Sequence, residues 1–157
     1  MKSSAFLKEV MEMARVDQDL RFAAIRAKRG RKVAGLSFEN YLVYAVDRVH
    51  GLRLRELIKK YGYPKKKEFG DDGLASFWLL VQHQDHDVDL QKACAAKCNL
   101  SSDHYAHLMD RICVNTGKKQ IYGTQYTGKI DRAGRPILCP TRDPKRLQKR
   151  RHSIGLK

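Results

Sequence analysis

Apolar residues recur at helical spacing through most of this chain, and this periodicity restricts its fold more than any other feature. Three segments carry it, namely 4–27, 37–60 and a stretch that begins near Gly73. The clearest stripe lies at positions i, i+3, i+4, i+7 and i+8 of a fourth helix: Tyr105, Leu108, Met109, Ile112 and Cys113. The pattern predicts a mainly α, compact single domain of four to five helices.

Local signals set the ends of these elements. Ser37 is a good N-cap for the second helix, and Gly62-Tyr63-Pro64 ends it, because proline cannot continue the hydrogen-bond ladder. The segment 26–32 is predicted to be a basic loop. From Lys119 to Tyr126 the alternation changes to period two, and a short run after Gly134 completes a small two-stranded β hairpin near the C-terminus.

Length and charge bound the class of protein. The 157 residues fit one domain, 1–157, which ends in a basic helix at about 143–155. The formal charge of +15 attracts polyanions, so RNA or DNA is the first macromolecular partner to consider. The alternative is a basic surface that serves only solubility or a crowded assembly.

The compartment follows from the cysteines and the apolar runs. Four cysteines, without a secretory signal, predict reduced thiols in a cytoplasmic protein. The longest apolar run, Phe77 to Val81, is a quarter of the roughly 20 residues that a membrane helix needs, so no membrane partner is expected.

Polar residues interrupt the apolar faces, and a buried polar group without partners costs about 1 to 3 kcal/mol. We therefore expect them to converge on one shared site. The predicted catalytic residues are His83, Asp85 and Arg111. The predicted ligand-binding residues are Asp17, Arg21, Asp47, Gln82, Gln120, Tyr122, Gln125 and Arg151.

These residue types favour an anionic, nucleotide-like ligand. Arginine offers a planar fork of donors to phosphate, and glutamine can read an amide or base edge. His83 can exchange protons near neutrality and is the candidate general base, oriented by Asp85 or another carboxylate. The alternative is a histidine that only satisfies structural hydrogen bonds in a polar core.

The string Gln120-Ile121-Tyr122-Gly123-Thr124-Gln125 is the second candidate segment. Gly123 has no side chain, so a strand that contains it lets a ligand or another backbone approach closely. The alternative is an ordinary bulge.

No metal site and no cofactor are expected. The weak alternatives are a divalent ion near His83 and Asp85, the pattern His50 with His86-Asp87 and Asp110 of His-Asp phosphohydrolases, and zinc at Cys94-x3-Cys98 with His104-x2-His107.

Several strings taken together resemble a mostly bacterial family catalogued as a domain of unknown function, number 6624. They are Asp17-Gln18 with Arg21, Gly62-Tyr63-Pro64, Trp78 through Gln82-His83 with Asp85, Asp110-Arg111, Gln120 through Gln125, and Arg151 before Gly155-Leu156. The resemblance spans nearly the whole chain. It implies a mainly helical domain, and it supplies no activity to carry over.

The residues themselves favour a polar pocket that acts on or binds an anionic, nucleotide or nucleic-acid ligand. As an enzyme, the protein is expected to be a cofactor-independent hydrolase or transferase, because charge that develops on phosphate needs cationic stabilisation. The alternative is a non-catalytic nucleic-acid-binding or ribonucleoprotein component that uses its basic surface.

Overall fold

The structure is a computed structural model, and it describes residues 2–27 and 32–156. The described residues form six α-helices and two short antiparallel hairpins. In chain order the elements are α1 (Lys2–Arg26), β1 (Lys32–Val33), β2 (Leu36–Ser37), α2 (Phe38–Tyr61), α3 (Lys66–Gln82), α4 (Val88–Lys97), α5 (Ser102–Asn115), β3 (Tyr126–Ile130), β4 (Pro136–Leu138) and α6 (Leu147–Ser153). The predicted mainly α fold with a C-terminal hairpin is confirmed.

The elements group into two compact units, Met1–Gln84 and Asp85–Lys157. Each unit has buried apolar residues, and each holds part of the predicted site. The single domain predicted for 1–157 stays a prediction.

In the first unit, α1 packs against both α2 and α3. Phe6 of α1 is buried, with its ring centroid 4.9 Å from that of Phe69 and 6.2 Å from that of Phe77. A Cβ at Gly73 would lie 2.5 Å from the Cδ1 atom of Leu7, so a larger residue there would require the Leu7 side chain to move. This close packing holds α1 beside the end of α3.

The start of α3 is the main helix boundary that the sequence pattern missed. The helix begins at Lys66, before the predicted Gly73, and it is interrupted at Gly70, whose φ of 67° lies in the left-handed region. Because Gly70 breaks the regular spacing, the periodicity marks only the second half of α3. The cap at Ser37 is confirmed, since its side chain accepts a hydrogen bond from the amide of Asn40 at 3.2 Å.

In the second unit, α4 packs against α5, and Leu90, Cys94, Leu108 and Ile112 are buried there. The β3–β4 hairpin pairs Tyr126 with Leu138. The prediction that a strand runs from Lys119 to Tyr126 is wrong, because the strand begins only at Tyr126. Residues 120–125 form a loop, for which the site below gives the reason.

The structure also describes elements in or beside the two segments that are predicted to be basic. A 3-10 turn (Pro144–Arg146) leads into α6, where a basic helix is predicted. The β1–β2 hairpin begins at the end of the predicted basic loop, of which residues 28–31 lie outside the described residues. Every described helix is too short or too polar to cross a bilayer.

Candidate functional site

Four predicted site residues meet in the first unit, and we call them the Asp17 cluster: Asp17, Arg21, Asp47 and His83. Asp17 and Arg21 lie one turn apart on α1, Asp47 lies on α2, and His83 is the C-cap residue that follows α3. The Nε atom of Arg21 donates to Asp17 at 3.0 Å, and its Nη2 atom donates to Asp47 at 2.6 Å. The guanidinium therefore joins two helices through two carboxylates.

Asp17 also binds His83. The Nδ1 atom of His83 lies 3.1 Å from an Asp17 carboxylate oxygen, and the Nε2 atom of Gln18 donates to the other oxygen at 2.7 Å. A carboxylate bonded at Nδ1 holds the ring in one orientation and places the proton there. The partner of His83 that the structure describes is thus Asp17, which lies 66 positions earlier in the chain.

The pKa values of the two carboxylates of the cluster shift in opposite directions. Burial raises the pKa of Asp17, but hydrogen bonds from His83 and Arg21 outweigh burial and hold the net pKa well below its usual range. For Asp47, burial raises the pKa and the nearby Arg21 only partly opposes it. Neighbouring acids with separated pKa values are a common feature of functional sites.

Asp17→Asn is expected to destabilise the protein more than Asp47→Asn at neutral pH. The folded state favours the ionised form of Asp17 and disfavours that of Asp47. Because the folded pKa of Asp17 is depressed, its contribution is complete above the ordinary value of 3.8 and is lost as the pH falls below it. Urea unfolding of both variants at neutral and acidic pH measures the free energy of unfolding. Equal losses of this free energy in the two variants at neutral pH would contradict the prediction.

His50 lies near the cluster on α2. It is buried, burial lowers its pKa, and its Nδ1 atom has no hydrogen-bond partner among the described residues. The charges of Asp17 and Arg21 act on it with opposite signs. A neutral imidazole therefore adjoins the ion pairs of the Asp17 cluster.

The cluster also contains a possible ligand set for a cation, because one donor atom each from Asp17, Asp47 and His83 lie within 4.8 Å of one another. Arg21 already donates to both carboxylates, so its guanidinium supplies the positive charge there. A divalent ion would have to displace Arg21 or bind beside it, which like-charge repulsion opposes.

A cavity of about 390 Å³ adjoins Arg21 in the same unit. Its walls are mostly apolar, with Ala24, Ile25 and Val43, and Asn40 adds an amide. The Nη1 atom of Arg21 makes no hydrogen bond to any residue within 2–27 and 32–156. A free donor beside an apolar wall is a common arrangement in ligand pockets of this size.

In the second unit, the predicted site string is a loop organised by Asp110. This carboxylate of α5 is fully buried, and it accepts hydrogen bonds from the backbone amides of Ile121 at 2.6 Å, Tyr122 at 2.9 Å and Thr124 at 2.9 Å. The Thr124 hydroxyl donates to it at 3.0 Å. These amides bond to a side chain rather than to a neighbouring strand, so residues 121–124 are not β. Gln120, just before them, forms an isolated β-bridge with Thr141.

The glutamines of this loop also bond to its backbone. Gln120 is fully buried, and its amide group donates to the carbonyls of Gln125 at 3.0 Å and Cys139 at 2.7 Å. Gln125 donates to the Thr124 hydroxyl at 3.1 Å. Gly123 has a φ of 70°, and a Cβ there would lie 3.2 Å from a methyl group of Leu147. These contacts account for the string as loop structure.

The remaining predicted residues of this unit are ion-paired or bonded to the backbone. Arg111 and Asp85 form a two-point pair at 2.6 and 2.8 Å, and Asn115 donates to the same carboxylate. Arg151 donates to the carbonyl of Tyr122 at 2.9 Å. Burial raises the pKa of the Tyr122 phenol.

The structure thus brings Asp17, Arg21, Asp47 and His83 together, and Gln82, which is buried, ends α3 immediately before His83. In the second unit, Asp85 pairs with Arg111, while Gln120, Tyr122, Gln125 and Arg151 belong to the loop and its contacts. The convergence of all eleven on one site stays a prediction.

Sequence reasoning missed Asp110 as the residue that holds the loop. The stripe of α5 gives no signal for it, because Asp110 lies two residues from both Leu108 and Ile112 and so faces away from that stripe.

One comparison with known proteins gives a match. A model of the family of unknown function DUF6624 matches residues 5–157, so the chain belongs to this family and the resemblance is confirmed. No curated protein and no solved structure matches it.

Proposed function

We propose that the Asp17 cluster is the active site of a cofactor-independent hydrolase or transferase. Its substrate is an anionic, nucleotide-like ligand. The observation that carries this proposal is the contact of 3.1 Å between His83 and Asp17. With Nδ1 held by the carboxylate, Nε2 is the basic nitrogen that can take a proton from water or a hydroxyl group.

Asp17 is the positioning residue in this proposal. It is buried, and its pKa is held below the usual range, so it stays ionised through the neutral range. A fixed negative charge beside Nδ1 stabilises the imidazolium that forms when Nε2 accepts a proton. The pair therefore provides a base together with the group that orients it.

Arg21 and the adjoining cavity support the choice of ligand. The free Nη1 donor of Arg21 suits a phosphate oxygen, and the Asn40 amide suits the polar edge of a base. The apolar side chains of Ala24, Ile25 and Val43 offer a surface for a planar ring. A nucleoside monophosphate combines these features, and we name it as the probe.

Arg21→Gln is expected to weaken nucleoside monophosphate binding by more than about tenfold, the loss typical of a charged hydrogen bond. Arg15→Gln is the matched control, since Arg15 also lies on α1 and also pairs with two acids, but is exposed. Isothermal titration calorimetry measures both, and mass spectrometry of the purified protein identifies a retained ligand.

Arg21→Lys keeps the positive charge between Asp17 and Asp47 but removes the planar fork of donors. A folded Arg21→Lys variant that binds weakly would therefore show a loss of binding without a loss of folding. Equal affinities for wild type, Arg21→Gln and Arg15→Gln would overturn the ligand assignment.

Nucleic-acid binding is the second candidate function. It is favoured by the formal charge of +15 and by four exposed cations of the second unit, Arg142, Lys145, Arg146 and Lys149. This candidate requires no chemistry at His83.

A further inference from the structure

A second cavity lies in the second unit, where the chain turns from β4 into α6. Its volume is about 460 Å³, and it is lined by Arg142, Asp143, Arg146, Lys149, Arg150 and Ser153. Four cations face one carboxylate, so the lining carries an excess of three positive charges. We propose that this cavity binds the phosphodiester backbone of a nucleic acid, an inference that rests on the second candidate function and gives it a site.

Arg150 builds the wall of this cavity. Its guanidinium donates to the carbonyls of Ile121 at 2.8 Å and Asp143 at 3.1 Å, and it also bonds the carbonyl of Arg142. Three backbone acceptors hold one side chain, so the turn is tied to the loop that Asp110 organises. The lining is therefore set by a bonded framework that does not need a ligand to form.

The other cations are available to a ligand. Arg142 and Lys149 are exposed and have no ion pair among the described residues. Arg146 lies 3.6 Å from the Asp143 carboxylate, in a pair whose arginine is 78% exposed. An exposed pair of this kind is worth little, so a phosphate can compete for Arg146.

The chemistry of the lining favours a backbone over a base. Arginine and lysine neutralise phosphate, and a hydroxyl such as that of Ser153 can add a hydrogen bond. The lining residues include no aromatic ring, so the platform on which bases stack is absent from them. Recognition by charge without regard to sequence is the mode that remains.

The distribution of charge favours a polymer over a single phosphate. Lys145 and Arg151 continue the basic run beyond the cavity, and α6 alone is about 10 Å long at 1.5 Å per residue. This length exceeds one phosphate group and matches successive phosphates of a strand. We therefore assign the cavity to a segment of nucleic-acid backbone.

The test compares two charge-matched triple variants of the full chain with a fluorescein-labelled oligouridylate as the probe. The cavity variant carries Arg142→Gln, Arg146→Gln and Lys149→Gln, and it keeps Arg150 so that the wall remains. The control carries Arg48→Gln, Lys67→Gln and Arg132→Gln. These changes also remove three positive charges, but from exposed positions outside the cavity. Fluorescence anisotropy across a salt series gives the affinity and its salt dependence.

The cavity variant is expected to lose more than about tenfold in affinity, and its slope of log K against log salt is expected to fall by about 2, at about 0.7 per phosphate contact on a single strand. The control is expected to change much less. Equal changes in both variants would overturn the site, because they would show a response to net charge alone.

Two further arms identify the occupant. Uridine monophosphate is expected to compete poorly, and displacement of the probe at comparable concentration would overturn the polymer assignment in favour of a small phosphorylated ligand. His83→Gln is expected to leave the affinity and the salt slope unchanged. The test of nucleic-acid binding at the cavity is therefore independent of the test of the Asp17 cluster. Thermal melting of each variant checks that it is folded.

Discussion

Asp110→Ala is expected to lower the free energy of unfolding by about 3 to 5 kcal/mol. The carboxylate accepts from three backbone amides and one hydroxyl, and it is fully buried. Alanine would leave these donors without an acceptor, and each unsatisfied buried group costs about 1 to 3 kcal/mol. Urea unfolding followed by circular dichroism measures the loss.

The matched control for this prediction is Asp103→Ala, on the same helix. Asp103 is 62% exposed, and its ion pair with His107 spans 3.7 Å, so its removal is expected to cost less than about 1 kcal/mol. Asp110→Asn is a finer test, because its Nδ2 group would face amide donors in place of an acceptor. A cost for Asp110→Ala as small as that of the control would show that water satisfies the loop amides.

His83→Gln is expected to lower the rate of phosphodiester hydrolysis by about 10² to 10⁴, the usual contribution of a general base. Glutamine can still donate to Asp17, but it cannot accept a proton at the position of Nε2. The first measurement is the initial rate with bis-p-nitrophenyl phosphate, and the second uses whichever nucleotide co-purifies with the protein. His152→Gln, at an exposed position, is the control and is expected to keep the wild-type rate.

Asp17→Asn distinguishes a catalytic pair from a structural contact. The amide can leave the ring in place but favours the other tautomer, so the rate is expected to fall while nucleoside monophosphate binding is kept. A wild-type rate in His83→Gln would remove the enzyme proposal, and a wild-type protein that hydrolyses neither substrate would remove the hydrolase. The cavity beside Arg150 would stand in either case.

Much of the fold could be predicted from local signals. The stripe along α5 and the cap at Ser37 depend on residues a few positions apart, and both are confirmed. The ion pair of Asp17 and Arg21 is of the same kind, because residues four apart on a helix are neighbours. Predictions of this kind need no knowledge of the rest of the chain.

The loop at residues 120–125 could not be predicted in this way. Its alternation indicates a strand, but its amides bond to Asp110, which lies 11 to 14 positions away on a different element. Nothing in the local pattern shows which acceptor those amides will reach. The glutamines were expected to bind a ligand, yet Gln120 bonds the backbone of its own loop.

The sequence by itself determined the helical class, most helix ends and the kinds of side chain that interrupt the apolar faces, because these depend on spacing along one element. Only the tertiary structure decided that His83 is oriented by Asp17, that Arg21 lies between two carboxylates and that Arg150 holds the carbonyls of a turn. His83 and Asp17 lie 66 positions apart, Arg21 and Asp47 lie 26 apart, and Arg150 lies 7 to 29 positions from the carbonyls that it binds. The geometry of these contacts depends on how the elements pack against one another. The spacing of residues within one element carries no information about that packing.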